Sequence, residues 1–328
     1  VFAAVAERTA RASRGRAALL WLFVIVLAVL STAFLSLDTT AVLLTPVVAL
    51  VARANGLPPL PFALTTVWLA NTASLILPVS NLTNLLSLHA LGFADPGRFV
   101  ALMLVPAIVA VVVPCAILLV VHRHELAARF EPGPVTPASD RALLWISGGV
   151  LVILLPLLVT GIPVWIPATA AALVLVVVFA IRRRDALRFG LVPWQLVLFA
   201  SGLFLVVEAG HELGLTVLLR QLAGSGTDLG ALLRLSLSGM LGANAVDNLP
   251  AYFALEPVVG PPVRLAALLI GVNAGSLITP WASLATLLWH SRLRSLGVEV
   301  PWSRYLLLGL IAAPLTVVLA TVGLALTR

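Results

Sequence analysis

The sequence contains no lysine and only one cysteine, and just 10% of its 328 residues are charged. A soluble domain usually carries about 25% charged residues, so this composition excludes an ordinary soluble fold. The lone Cys115 excludes an intrachain disulfide and a metal site built from several cysteines. A Walker loop, a His/Glu zinc spacing and a dinucleotide-binding glycine pattern are all absent from the sequence. We therefore predict neither an enzymatic activity nor a bound cofactor.

Hydrophobic residues make up 61% of the chain and are concentrated in long runs. Several runs reach the roughly 20 residues that an α-helix needs to cross the hydrocarbon core of a bilayer. The sequence therefore predicts an all-α, multi-pass membrane protein surrounded by lipid. All 20 basic residues are arginines, and most lie in short loops between the apolar runs, so the net charge of +7 does not indicate nucleic-acid binding.

One 12-residue pattern occurs twice, with an offset of 202 residues. The copies at 71–82 and 273–284 are NTASLILPVSNL and NAGSLITPWASL. Each copy places polar residues and a proline inside a long apolar stretch. Hydrophobic segments that are interrupted at corresponding positions of two halves indicate the binding site of a secondary transporter. We therefore predict two inverted repeats, each with a broken helix and a re-entrant hairpin.

The first repeat is predicted to cover 17–121, after a cytoplasmic tail at 1–16 that belongs to a preceding helix. It contains a hairpin, a broken helix and a span, at 17–54, 61–91 and 99–121 respectively. Two separate spans are the alternative for 17–54. The hairpin is favoured because its second apolar run is short for a span and because Asp38 lies at the junction.

A cytoplasmic linker at 122–141 is predicted to lead to the second repeat, 142–328. Its elements are three spans at 142–160, 163–181 and 193–209, a hairpin at 226–260, a broken helix at 263–293 and a span at 301–326. The first repeat has no spans before its hairpin, so the symmetry predicts roughly three further helices before Val1 in an intact version. We therefore expect an N-terminally truncated chain.

The arginines predict the orientation in the membrane. Fifteen of them fall on the side that holds the N-terminus and five on the other side. The arginine-rich side is predicted to be cytoplasmic by the positive-inside rule. The two hairpins then enter the membrane from opposite faces.

Asp38 and Asp247 are the acidic residues predicted to lie near the middle of the membrane, at the two hairpin tips. A charge at this depth costs at least about 2.5–3.5 kcal/mol, so each is a candidate functional residue. Capping of a helix is the alternative role, because the segments 38–40 and 247–250 both resemble helix starts. The two roles are compatible, since helix N-termini direct partial positive charge into the space between the tips.

Polar residues of the tips and of the broken helices form the predicted substrate site. Irregular backbone at membrane depth is tolerated only where it is buried in protein or lines a cavity. The candidates are Thr39, Asn71, Thr72, Ser74, Ser80, Asn81, Asn244, Asn248, Asn273, Ser276, Thr279 and Ser283. For a single Ser or Thr, a bond to its own helix is the alternative. The pairing of Asn71 with Asn273, and of Ser74 with Ser276, favours the site.

These residues resemble the arsenical pump membrane proteins of the ion transporter superfamily over essentially the whole chain. The matching segments are 38–41, 44–46, 72–75, 79–82, 193–195, 248–250, 279–280 and 283–289, of which the last is the most specific. The resemblance implies an elevator-type fold and export of arsenite and antimonite across the inner membrane by proton antiport. A soluble arsenite-stimulated ATPase, which works with some family members, and a second copy of this chain are the candidate protein partners.

The resemblance assigns the family's first-tip aspartate to Asp38 and its second-tip asparagine before proline to Asn248. Leu37 and Asp247 stand where the family usually has asparagine, which leaves the transported species and the coupling open. Asp38, with Asp247 as a second candidate, is predicted to exchange a proton as the substrate leaves. One cysteine excludes a three-thiolate arsenic site, but Ser, Thr and Asn side chains can hydrogen-bond neutral As(OH)₃.

Three alternatives are open at the level of the sequence. A sodium/proton antiporter would use the same two aspartates and a sodium gradient. A carrier of dicarboxylates or other anions is disfavoured because no arginine lies near either tip. A remnant that no longer transports is the third alternative, given the helices expected before Val1.

Overall fold

The computed structural model describes residues 8–91, 96–131, 140–158, 162–163, 165–187 and 194–327. Parts of the predicted tail, linker and second-repeat spans, including Pro193, lie outside these ranges. Within them the chain forms α-helices with short 3₁₀ and π segments, and no β-strand. This agrees with the all-α class expected from the apolar runs.

The chain begins with two helices joined at one bend. Helix α1 spans Ala17–Leu35, and α2, Leu37–Ala54, follows after Ser36. Ser36 has a φ of 98°, and its Oγ accepts a hydrogen bond from the Thr39 N–H at 3.4 Å, which caps α2. A residue other than glycine at positive φ is uncommon and reverses the chain direction sharply here.

Hydroxyl groups join the two arms of this first hairpin near its bend. The Thr40 hydroxyl on α2 donates to Ser31 Oγ at 2.8 Å and accepts from the Thr32 hydroxyl at 2.9 Å. All three side chains are buried. Buried hydroxyls need partners, so these bonds hold the arms in one register close to the bend.

A helix with an interrupted middle follows the first hairpin. Its parts are α3 (Pro59–Thr72), two 3₁₀ turns (Ala73–Leu75 and Pro78–Ser80) and α4 (Leu82–Ala90). Helix α5 (Pro96–Val121) and the short α6 (Arg123–Leu126) complete the first half. Pro78 lacks an N–H to continue a helix, so the break falls where the repeat pattern predicts it.

The second half repeats this order after additional helices. These are α7 (Arg141–Leu157), α8 (Trp165–Arg182), α9 (Trp194–Glu212) and α10 (Leu215–Ala223). A second hairpin consists of α11 (Leu229–Ala245) and α12 (Asn248–Leu255). A second interrupted helix consists of α13 (Pro262–Ala274), a 3₁₀ turn (Pro280–Ala282) and α14 (Leu284–Ser295), and the last helix is α15 (Trp302–Thr327).

The hairpins and interrupted helices pack against each other in the interior. Helix α1 lies on α3, α11 lies on α13, and α15 packs along both α5 and α11. Gly271 permits the close approach of α13 to α11, because a Cβ atom there would overlap the carbonyl oxygen of Ser236. This packing brings the bends and the breaks of both halves into one region.

Among the described residues, five helices are long and apolar enough to cross a membrane: α1, α2, α5, α8 and α15. The outward face of α5 carries exposed apolar side chains, including Leu104, Ile108 and Val112. Such a surface is costly in water and suits contact with lipid tails. The chain is therefore an integral membrane protein.

A buried arginine forms hydrogen bonds with the loops at one end of the second half. Arg264, at the start of α13, donates to the carbonyl oxygens of Val259 (2.8 Å), Gly226 (2.7 Å), Ala223 (3.1 Å) and Gly224 (2.7 Å). Its side chain has no carboxylate partner among the described residues. We expect Arg264→Met to lower the free energy of unfolding by about 2–4 kcal/mol, since several partly buried carbonyl groups lose their donors.

Thermal unfolding of the purified protein in detergent measures this effect. Arg220→Met is the matched control. Arg220 is exposed on α10, so its substitution removes the same charge without removing the four hydrogen bonds of Arg264. Equal unfolding temperatures for the two variants would contradict the role assigned to Arg264.

Candidate functional site

The bends of the two hairpins meet at one small cavity of about 80 Å³. Its polar lining residues are Asp38, Asn81, Asp247, Asn248 and Ser283, and its apolar lining residues are Leu37, Leu82, Leu249, Leu284 and Ala285. One water needs roughly 10–15 Å³ of such space, so the cavity has room for a few waters or one small solute. The residues that line it include no basic side chain and no cysteine.

Asp38 lies at the cavity in the first turn of α2. Ser36, not Asp38, provides the side-chain cap of this helix. Within the described part of the chain, the Asp38 carboxylate makes no hydrogen bond or ion pair. Capping therefore does not account for a carboxylate at this position, although the N-terminus of α2 favours a negative charge there.

Asp247 caps a helix and also lines the cavity. Its Oδ1 accepts a hydrogen bond from the Leu249 N–H at 3.1 Å, so it caps α12. The same side chain lines the cavity opposite the first bend, together with Asp38. Two carboxylates thus lie at one cavity, each at the N-terminus of a hairpin arm.

Ser283 is a cavity residue whose buried hydroxyl has no hydrogen-bond partner among the described residues. It is buried just before α14. A buried hydroxyl without a partner costs about 1–3 kcal/mol. A hydrogen bond from Ser283 to a water molecule in the cavity, or to a hydroxyl group of a bound solute, would recover part of this cost.

Asn273 joins the two interrupted helices rather than lining the cavity. Its Oδ1 accepts from Asn81 Nδ2 at 3.0 Å and from the Thr83 hydroxyl at 2.9 Å. Its Nδ2 donates to Asn84 Oδ1 at 2.8 Å. All four side chains are buried, and they form a network that connects the two halves of the chain directly behind the cavity residue Asn81.

The first break is held together by the same network. Asn84 Nδ2 donates to the carbonyl oxygens of Ser74 at 2.6 Å and Leu77 at 3.1 Å. Thr83 and Asn84 lie outside the set of substrate residues predicted from the sequence. Their position directly after the 71–82 copy, as polar residues in an apolar stretch, is the sequence signal by which they can be found.

Asn244 holds the irregular backbone at the second break, as Asn84 does at the first. Its Oδ1 accepts from the backbone N–H groups of Ile278 at 3.1 Å and Thr279 at 2.9 Å, and its Nδ2 donates to the Gly275 carbonyl at 2.8 Å. The Thr279 hydroxyl and the Trp281 indole each donate to the Asn244 carbonyl at 2.9 Å. Asn244 therefore fixes the irregular backbone to α11.

The remaining predicted substrate residues lie away from the cavity. Asn71, Ser74 and Ser276 each donate to a carbonyl within their own interrupted helix. Ser80 donates to the Ala33 carbonyl at 2.9 Å, and the Thr39 hydroxyl lies 3.2 Å from Ser36 Oγ. Thr72 is buried, with no partner for its hydroxyl among the described residues.

Sequence reasoning missed the apolar wall of the cavity. Leu37, Leu82, Leu249 and Leu284 each neighbour a predicted polar residue, but an apolar side chain in an apolar chain gives no separate signal. The four leucines form the apolar part of the cavity wall beside the two carboxylates. Their meeting at one cavity depends on the packing of two bends that are far apart in the chain.

Comparisons with known proteins agree with a transport role. The model of the CitMHS family, described as citrate transporter, matches residues 1–271. An arsenical pump membrane protein of Yersinia enterocolitica is 31% identical over 332 residues, covering 93% of this chain and 77% of that protein. The Escherichia coli (strain K12) protein of the same name is 30% identical over 336 residues, with the same coverage. A 46 kDa membrane protein of Mycobacterium leprae (strain TN) is 25% identical, covering 99% of this chain and 81% of that protein.

Proposed function

Because the chain belongs to the citrate transporter family CitMHS and is related to the arsenical pump membrane proteins, we propose that it exports arsenite and antimonite by proton antiport. The coarser function, transport across a membrane rather than catalysis, follows from the family itself. The inner membrane is the proposed location, with the arginine-rich side in the cytoplasm.

One observation carries the proposal: two carboxylates and a free buried hydroxyl line a small cavity that holds no basic side chain. Neutral As(OH)₃ is a small triol that can donate to carboxylates and accept from Asn and Ser side chains. A citrate anion would meet two carboxylates without a compensating arginine, which is unfavourable in a site of this size. The cavity therefore favours a small neutral or cationic substrate over a tricarboxylate.

The proposed architecture has two inverted repeats with re-entrant hairpins and an elevator-type motion. Helix α12 has eight residues and is about 12 Å long, which is too short to cross a bilayer. Its tip residue Asp247 shares the cavity with Asp38 at the first tip. Helices α1 and α2 are each long enough to cross a bilayer, but their bend meets the second tip at the cavity. We therefore propose that both hairpins end within the membrane, with the substrate held between the tips.

In the proposed mechanism, Asp38 exchanges a proton as the substrate leaves. Asn248 and Ser283 hydrogen-bond the substrate hydroxyls, and Asn81 links this contact to the network behind it. Protonation of Asp38 removes a charge and an acceptor from the cavity, which weakens substrate binding. Release and proton uptake are thereby coupled on the side where protons are abundant.

A cation/proton antiporter is the second candidate function. The paired carboxylates favour it, because two negative charges at one cavity also suit Na⁺. The two functions differ in the solute that is exchanged for protons, which is arsenite in the first and Na⁺ in the second. A transport assay with both solutes separates them.

The test uses the full chain in everted membrane vesicles that generate an inward proton gradient. We expect accumulation of labelled arsenite that collapses when an uncoupler is added, and no accumulation of citrate. Vesicles without the protein provide the background. Sodium-dependent dissipation of the gradient without arsenite uptake would overturn the arsenite assignment and favour the antiporter, and absence of both activities would contradict the transport proposal.

A further inference from the structure

A second cavity lies at the opposite end of α1 from the two aspartates. It has a volume of about 390 Å³ and is lined by Ala12, Arg14, Arg16, Leu19 and Arg129. Helix α1 has 19 residues and is therefore about 28 Å long, so this cavity is remote from the transport cavity at the hairpin tips. It belongs to the arginine-rich face of the protein.

The backbone around this cavity is fixed by pairing of two distant segments. The Phe130 N–H donates to the Gly15 carbonyl at 2.9 Å, and the Ala17 N–H donates to the Ala128 carbonyl at 3.1 Å. Gly15 has a φ of 71°, and a Cβ atom there would overlap the carbonyl oxygen of Phe130. The pairing thus fixes the backbone of the two segments that carry the arginines, one before α1 and one after α6.

The three arginines carry positive charge without a local counter-charge. Arg14, Arg16 and Arg129 are exposed, and their guanidinium groups make no hydrogen bond or ion pair with other described residues. The nearby acidic residues do not line the cavity, since Glu125 faces His122 at 3.3 Å and Glu131 is exposed. Guanidinium groups grouped in this way are suited to a phosphate group, which they bind through paired N–H donors.

An apolar stripe leads from this cavity along α1. Leu19 lines the cavity, and Leu22, Val26 and Leu30 continue on the same face of the helix at spacings of three and four residues. Their side chains are 51%, 48% and 50% exposed. The cationic cavity at the end of a membrane helix suits the phosphate of a phospholipid headgroup, and the apolar stripe next to it suits the acyl chains.

We propose that the cavity formed by Arg14, Arg16, Leu19 and Arg129 binds the phosphate group of an anionic lipid headgroup, whose acyl chains lie along the exposed stripe of α1. The ligand class is an anionic phospholipid such as phosphatidylglycerol. The site is separate from the transport cavity and does not depend on the identity of the transported solute.

Native mass spectrometry of the full chain in mixed micelles tests this site. Phosphatidylglycerol is titrated into wild type and into the triple variant Arg14→Gln, Arg16→Gln, Arg129→Gln. We expect a loss of about fivefold in affinity for each arginine, and roughly 100-fold for all three. Arg11→Gln is the matched control, since Arg11 is an exposed arginine of the same segment that does not line the cavity.

Phosphatidylcholine and inorganic phosphate provide the other arms of the experiment. Weak binding of phosphatidylcholine and weak competition by inorganic phosphate are expected for a lipid headgroup site. Inorganic phosphate that binds without lipid and with the same arginine dependence would overturn the lipid assignment. Equal phosphatidylglycerol binding by the triple variant and the Arg11 variant would overturn the site, and unfolding temperatures without lipid show whether the triple variant is folded.

Discussion

Asp38→Asn is expected to reduce proton-driven arsenite uptake to the background of vesicles without the protein, whereas Asp247→Asn retains measurable uptake. Asp38 lies at the cavity without a hydrogen-bond partner in the described chain, so its carboxylate is available for proton exchange. Asparagine at this position keeps the size and polarity of the side chain but cannot take up and release a proton as a carboxylate does. The coupling reaction is therefore lost without a change in the shape of the cavity.

Asp247 provides the matched comparison because it is also an aspartate at a hairpin tip. Its Oδ1 caps α12 through the Leu249 N–H, and asparagine is an equally good N-cap residue. Asparagine is also the residue that the resemblance to the arsenical pumps leads us to expect here. We therefore expect Asp247→Asn to fold normally and to transport at a reduced rate.

Initial rates of arsenite uptake, normalised to the amount of protein in the vesicles, distinguish these outcomes. Asp38→Glu is the conservative control, since it keeps a carboxylate at the tip. Full uptake by Asp38→Asn would mean that the proton route lies elsewhere. Loss of uptake in Asp247→Asn alone would assign the coupling to the second tip instead.

Asn273→Leu is expected to destabilise the protein by about 3–6 kcal/mol, the largest effect that we expect on folding. The change leaves Asn81 Nδ2, the Thr83 hydroxyl and Asn84 Oδ1 without the partners they have in the native network. Each buried polar group without a partner costs about 1–3 kcal/mol. Because the network joins the two halves of the chain, its loss also loosens the wall of the transport cavity next to Asn81.

Asn71→Leu is the matched control, because Asn71 occupies the same position in the first copy of the repeat and is also buried. Its Nδ2 donates to the Val67 carbonyl within α3, and its Oδ1 has no partner in the described chain. We expect a change within about 1 kcal/mol, since no distant group loses a bond. Thermal unfolding in detergent compares the two variants, and equal destabilisation would indicate that the repeat asparagines have equivalent roles.

Properties that depend on local composition could be predicted from the sequence. The apolar runs predicted a helical membrane protein, and the described residues form several long apolar helices. The repeated pattern located both interrupted helices, since proline and small polar residues disrupt a helix wherever they occur. The resemblance to the arsenical pump membrane proteins, read from the tips and breaks, is confirmed by the comparisons.

Properties that depend on partners distant in the chain could not be predicted. The symmetry of Asn71 and Asn273 predicted equal roles, but Asn273 bonds to residues about 190 positions away while Asn71 bonds to its own helix. Of the twelve predicted substrate residues, Asn81, Asn248 and Ser283 line the cavity, and Asn244 instead fixes the second break.

The sequence by itself determined that the chain is helical, where its helices break and that an aspartate lies at each bend, because these features follow from hydropathy and backbone chemistry within a few residues. Only the tertiary structure decided which polar groups line the cavity and which form hydrogen bonds with one another instead. Most buried polar groups find a partner, and the choice of partner depends on packing between helices that are far apart in the chain.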